Sequence, residues 1–295
     1  MNKILIGLSI AFTYILMVVG NVVTTTGSGL GCPDWPLCYG TVVPPLQIQT
    51  WIEWSHRLLG GATGLFILGA TVSVWLTAKG PVRALTMSAL GLLGVGAVFG
   101  GVIVMLEAPL LEGVLHIMVI SFHIIVATAI FILMILAYRR LDTAPAAKEN
   151  SVYTVMFAII LLQVILGIFV RYSQAAMACS AEFPLCNGQV IPEFAEPGIA
   201  LHFVHRLMAY VVFFFTGGYM IKAIKDKSDV ANSVITFSLV VAQGAVGIGI
   251  VHSGMFLPLI VGHGAFGFLL LGWVAYRSAP GLLGFNMLVQ EEARA

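Results

Sequence analysis

The sequence predicts an all-α polytopic membrane protein of eight transmembrane helices, arranged as two pseudo-symmetric four-helix bundles. Three observations predict it. Of 295 residues, 59% are hydrophobic and 9% charged, with a mean hydropathy of +1.01. A water-soluble domain of this length has no interior large enough for that much apolar surface. Apolar runs recur along the whole chain, each near the length that crosses a bilayer as a helix. The third observation is a repeat. "PLCYGTVVP" at 36–44 returns as "PLCNGQVIP" at 184–192, and a His-Arg pair follows each, in "SHR" and then "VHR".

The spans are expected over roughly 4–24, 54–78, 84–105, 113–137, 152–172, 200–222, 231–251 and 257–277. The first run could be mistaken for a signal peptide. It continues into "VVTTTGSG" without a small-residue cleavage site, so it is read as a span. If the spans alternate, all fourteen Lys and Arg except Arg57, Arg171 and Arg206 fall on one side. The positive-inside rule makes that side cytoplasmic, with both termini inside. The three exceptions lie at outer ends of spans, and two directly follow a histidine. The lack of a long basic presequence points to a prokaryotic cell (plasma) membrane. Surrounding lipid is the expected environment, and no nucleic-acid partner is expected.

Each half contains one long outer loop after its first span. Cys38 precedes His56 by 18 residues and Cys186 precedes His205 by 19; His56 to His116 is 60 and His205 to His263 is 58. Four spans per half is an even number, so the halves enter the membrane in the same sense, as a parallel repeat. The expected division is 1–146 and 147–295, with the polar "RRLDTAPAAKEN" at 139–150 as linker. All four cysteines lie in the two long outer loops. Outside the cytoplasm thiols tend to oxidise, and the spacings permit Cys32–Cys38 and Cys179–Cys186 bridges. Zinc is the competing reading, but each loop offers two cysteines and no nearby His-x-x-His. Structural and redox-active roles both stay open.

The seven histidines all lie in or beside spans on the outer half. Ionisable groups in a bilayer are costly and face the bundle interior or a wet cavity. His56 and His116 in one half match His205 and His263 in the other. Two imidazoles from different helices at similar depth are what a six-coordinate heme needs. Interhelical hydrogen bonding is the plainer use of one membrane histidine, and glycine stripes such as "GVGAVFGGVIV" usually mean close packing. Paired recurrence favours heme. Arg57 and Arg206, beside proposed ligands, suit pairing with heme propionates, against simple snorkelling at a helix end. Arg171 is assigned to the second heme in the same way. His123 lies two turns from His116 on the same face and is an alternative ligand; depth and repeat favour His116. His202 and His252 are read as hydrogen-bonding or solvent-facing. Glu53, three residues before His56, has His202 at its matching place. It is either a helix-start residue favoured by the macrodipole or a general base at a heme edge.

"VTTTGSGLGCPDWPLC" followed by "IEWSHR" resembles the opening of the heme A synthases, and the resemblance extends over the full chain. It implies a membrane enzyme that oxidises a ring methyl of heme O to a formyl group through an alcohol, giving heme A for heme–copper oxidases. It implies heme b as cofactor in the C-terminal half, on His205 and His263. It also implies substrate heme O in the N-terminal half, on His56 and His116, with Glu53 as the candidate catalytic group. The heme O-producing farnesyltransferase (heme O synthase) and cytochrome oxidase assembly factors are implied partners. An electron acceptor is required but not identified, and a homo-oligomer is compatible with the reading. The alternative is a di-heme b-type cytochrome that relays electrons, which leaves Glu53 and "TGSG" in only one half unexplained.

Overall fold

The computed structural model describes residues 1–107, 113–141 and 151–283. Most of the expected linker and both sides of the expected 146/147 boundary lie outside the described residues, as do Lys148 and Arg294. Among the described residues are eight long helices: α1 Asn2–Thr25, α2 Ile48–Thr77, α3 Pro81–Glu107, α4 Val114–Arg140, α5 Ser151–Tyr172, α6 Pro197–Lys225, α7 Val230–His252 and α8 Leu257–Leu282. All eight are long and apolar enough to cross a membrane. Leu65 and Phe214, 72% and 70% exposed, show apolar side chains facing outward, as lipid contact requires.

Helical backbone satisfies its own polar groups where no water is available. The hydroxyls do the same locally. Ser9, Thr13, Thr63, Thr71, Thr128, Thr216 and Thr236 each donate to the carbonyl four residues back. Some also tie helices together. Thr71 Oγ1 lies 3.1 Å from the Thr86 carbonyl oxygen, linking α2 to α3, and Trp273 Nε1 donates to Thr236 Oγ1 at 2.9 Å, linking α8 to α7.

The chain forms two compact units, Met1–Asp142 and Thr143–Ala295. In the first, α1 packs on α2 and α4, and α3 packs on α2 and α4. In the second, α5 packs on α6 and α8, and α7 packs on α6 and α8. Each unit is therefore a closed ring of four helices. The first is centred on Ile6, Ile67, Ala70, Val74, Ala89, Ile130 and Met134.

Helix ends differ from the hydropathic expectation most at α2, which starts at Ile48 rather than near residue 54. Hydropathy marks the bilayer core, whereas "IQTWIEW" is helical but carries polar groups. The extension has a consequence for Glu53. It sits beyond the first turn of α2, which contains no acidic residue, so the macrodipole is not what places it there.

The "TGSG" segment is a tight corner between α1 and the cysteine loop. Thr26 Oγ1 contacts Ser28 Oγ at 2.7 Å, and Gly27 adopts φ +67°, a conformation that favours glycine. A short 3₁₀ turn, Ser28–Leu30, follows. A Cβ on Gly31 would lie 2.5 Å from the main-chain oxygen of Gln49 at the start of α2. In the second unit Ala178 makes the corresponding approach, and there the facing residue is Gly198. Gly31→Ala should therefore lower stability by about 1–3 kcal/mol. A reduced melting temperature of the purified protein in detergent is the expected result; an unchanged one would mean the corner has room to relax.

Candidate functional site: paired imidazoles beneath two clamped loops

The loops are built by the same local rules in both units. Cys32 is joined to Cys38 and Cys179 to Cys186. Each second cysteine opens a tight turn, with Cys38 and Thr41 exchanging main-chain hydrogen bonds at 3.2 Å and Cys186 and Gln189 doing so at 2.9 and 3.1 Å. The turn residues Tyr39-Gly40 and Asn187-Gly188 all have positive φ. A carboxylate locks each turn. Asp34 accepts from the N–H of Tyr39 (2.5 Å) and Gly40 (2.7 Å), and Glu182 accepts from that of Gly188 (2.5 Å). The donor bond from Gly40, then that from Tyr39, holds Asp34 below the usual carboxylate range, against opposing desolvation.

One arginine in each unit ties this loop to a helix. Arg57 Nη1 donates to the carbonyls of Asp34 and Leu37, both at 2.6 Å, and Nη2 to that of Cys32 at 3.2 Å. Its Nε donates to Glu53 Oε1 at 2.8 Å. Arg206 repeats the grip, with Nη1 on the carbonyls of Glu182 and Leu185 at 2.9 Å and Nε on His202 Nε2 at 3.2 Å. A guanidinium has five N–H donors, so Arg57 has little left for a propionate. Arg206 Nη2 is buried without a partner. Arg171 lies near the ring of Tyr172, 5.8 Å away.

Glu53 and His202 are thus equivalent residues with different chemistry, each 5% exposed and one turn before the arginine it touches. The sequence reading placed Glu53 near His56 but missed its partner. The i, i+4 spacing of Glu53 and Arg57 was the available signal. His202 Nδ1 also faces the main-chain N–H of Cys179 at 3.4 Å, coupling helix α6 to its disulfide. His252 is exposed at the end of α7, with Nδ1 3.0 Å from the Ile248 oxygen.

The imidazoles lie below the clamps, and four share one arrangement. Each ring rests on a glycine of a neighbouring helix. A Cβ on Gly20 of α1 would sit 3.0 Å from His56 Cε1, and on Gly167 of α5 3.2 Å from His205 Cε1. On Gly100 of α3 it would meet His123 Cε1 at 3.5 Å, and on Gly247 of α7 His263 Cε1 at 2.9 Å. All four rings have a buried Nδ1 without a partner. His56 and His123 are close enough to interact electrostatically, as are His205 and His263.

The structure brings His123 to His56. His116, the partner expected from the sequence, is half-buried in the first turn of α4, two turns nearer the loop end of the bundle. The two histidines share a helical face, so a count of residues could not separate them. A sequence signal existed. The residue four places after each seated ring is small: Gly60, Ala127, Ala209 and Gly267, whereas Ile120 follows His116 at that distance. Two half-buried imidazoles per unit, from facing helices and with buried, unpartnered Nδ1 atoms, fit the donor set of a six-coordinate heme. Among the described residues no cluster of three or more His, Cys, Asp and Glu could hold a bare metal ion.

Eight apolar helices and paired imidazoles define a multi-pass membrane protein whose polar interior residues converge near two disulfide loops. The chain belongs to the COX15-CtaA family, described as "Cytochrome oxidase assembly protein", which matches residues 3–275. It is 34% identical to a "Heme A synthase" of Alkalihalophilus pseudofirmus over 81% of this chain and 83% of that one. It is 28% identical to one of Bacillus licheniformis over 94% and 95% of the two chains. With one of Staphylococcus saprophyticus the identity is 31%, over 91% and 93%.

The Asp34 lock generates a pH prediction. Its carboxyl is depressed in the folded loop, so its stabilisation is complete above the ordinary value of about 3.9. It is lost only as pH falls through the lowered folded value. Hydrogen exchange at Tyr39 and Gly40 should keep its protection, after correction for intrinsic rates, from neutral pH to about 4. Asp34→Asn should lose that protection across the whole range; equal protection in the variant would assign the turn to the disulfide alone.

Proposed function

We propose that the protein is a heme A synthase, oxidising a ring methyl of heme O to a formyl group through an alcohol. The observation that carries this reading is the asymmetry between two otherwise matched sites. Both units present an imidazole pair and an arginine clamp, but only the N-terminal one holds a carboxylate, Glu53, on the clamp. On this reading the N-terminal unit receives substrate heme O between His56 and His123, the residue now favoured over His116. The C-terminal unit keeps heme b on His205 and His263, which supplies one-electron redox chemistry when bound. The relatives named as heme A synthases support the assignment.

Net, the methyl group and one water give the formyl group with release of four protons and four electrons. The electrons require an external acceptor, which the structure does not hold. A carboxylate at the substrate suits the proton traffic. Glu53 can take a proton from water, and its bond to Arg57 aims the carboxylate from α2. Arg57 acts mainly as the loop clamp, while the unpartnered Nη2 of Arg206 remains available to a propionate. The disulfide loops would face the extracytoplasmic side of a prokaryotic plasma membrane, in keeping with bridged cysteines. Heme O synthase would supply the substrate and oxidase assembly factors take the product. A di-heme electron carrier would use both histidine pairs but has no task for Glu53.

Glu53→Gln should leave heme b in place yet cut heme A formation by about 10²-fold or more, the usual weight of a general base. Extracted hemes provide the measurement: accumulated alcohol places Glu53 at the second oxidation, accumulated heme O at the first. Heme A output near normal at equal protein level would remove Glu53 from the chemistry. Replacing His205 or His263 with Ala should abolish the low-spin heme b spectrum; its persistence in the double variant would reject the cofactor site.

A further inference from the structure

The seated imidazoles are held differently in the two units. On each supporting helix the residue four places before the glycine faces the ring. In the N-terminal unit these residues are Leu16 and Gly96, and the contact to His56 and His123 is through their main chain. In the C-terminal unit they are Gln163 and Gln243. Gln163 Nε2 lies 3.4 Å from His205 Nε2 and donates to the His205 carbonyl at 3.2 Å. Gln243 Nε2 lies 3.3 Å from His263 Nε2, in addition to a main-chain contact like those of Leu16 and Gly96.

Three further facts show that these carboxamides occupy built seats. The Oε1 atoms of both glutamines are buried without a partner, like the Nδ1 atoms of the two histidines. Gln243 is accommodated because α8 carries Gly267 opposite it, where a Cβ would come within 3.1 Å of its Nε2. The N-terminal unit has Gly96 on α3 and Ala127 on α4 at these positions, with a long side chain at neither. A carboxamide in an apolar span is costly unless it has work for its donor and acceptor.

Resting on the assignment of heme b to the C-terminal unit, we propose that Gln163 and Gln243 are the positioning residues that make this heme a resident one. A ligating imidazole offers one nitrogen to iron and must place its other N–H. A carboxamide, carrying donor and acceptor, serves whichever nitrogen remains and fixes the ring plane. Accepting that proton makes the imidazole a better donor to the ferric ion and slows ligand loss. The N-terminal unit, without side-chain amides at these places, holds its imidazoles loosely enough for substrate to enter and product to leave.

The test uses full-length protein purified with its hemes. Gln163→Leu and Gln243→Leu copy the residue at position 16. Each should speed transfer of heme b to excess apomyoglobin by about 10- to 100-fold, the usual weight of such a partner on metal affinity. Each should also raise the heme midpoint potential while the spectrum stays low-spin, and Gln→Glu, which retains an acceptor, should restore slow loss. Transfer rates and potentials equal to the unmodified protein would overturn the proposal. If a leucine variant does not fold, Gly267→Ala displaces the Gln243 amide by sterics and should give the same direction of change; no change there counts against it. Survival of the C-terminal heme spectrum in His205→Ala would instead strike the underlying cofactor assignment.

Discussion

Everything at the loop end of each unit depends on seating an imidazole inside an apolar helical bundle. The ring needs a neighbour for its polar edge, and a helix offers only side chains or its own backbone. A glycine resolves the conflict. Without a Cβ, Gly20, Gly100, Gly167 and Gly247 let a ring lie within contact of helical backbone. Two such seats per ring of four helices bring the imidazoles of a unit near each other. The packed core of the N-terminal unit, around Ile67, Val74 and Met134, fixes the helices on which its seats are carried.

Above the seats, the loops are not independent covers. Arg57 and Arg206 reach from the helix that carries the first histidine to carbonyls on both sides of the disulfide. A guanidinium fork suits this because its planar geometry serves several acceptors at once, which an ammonium could not. The loop, the clamp and the residue one turn before it are therefore joined in one hydrogen-bonded network, in which Glu53 and His202 occupy the same place.

Much of this was legible in the sequence. Eight spans, two cysteine pairs and three of the four seated histidines, His56, His205 and His263, follow from hydropathy and the repeat. The fourth did not. His116 and His123 share a face two turns apart, and the connection from α3 has its own length, so spacing alone could not separate them. The small residue four places on, Ala127, carries the geometric information that spacing lacks. The carbonyl acceptors of the arginine clamps were not legible either. A sequence shows a cation beside a ligand but not the carbonyls of a loop some twenty residues earlier that fold back over it.

The two units also show how similar four-helix rings carry different polar residues at matching places. Gly31 approaches the main chain of Gln49 in one unit where Ala178 approaches Gly198 in the other, and Gly96 and Ala127 stand at the positions of Gln243 and Gly267. The second unit receives the long Gln243 side chain opposite a residue that has none. A carboxamide beside His263 and a carboxylate beside Arg57 are carried by the same ring of four helices, so a difference in polar content between the units needs no difference in fold.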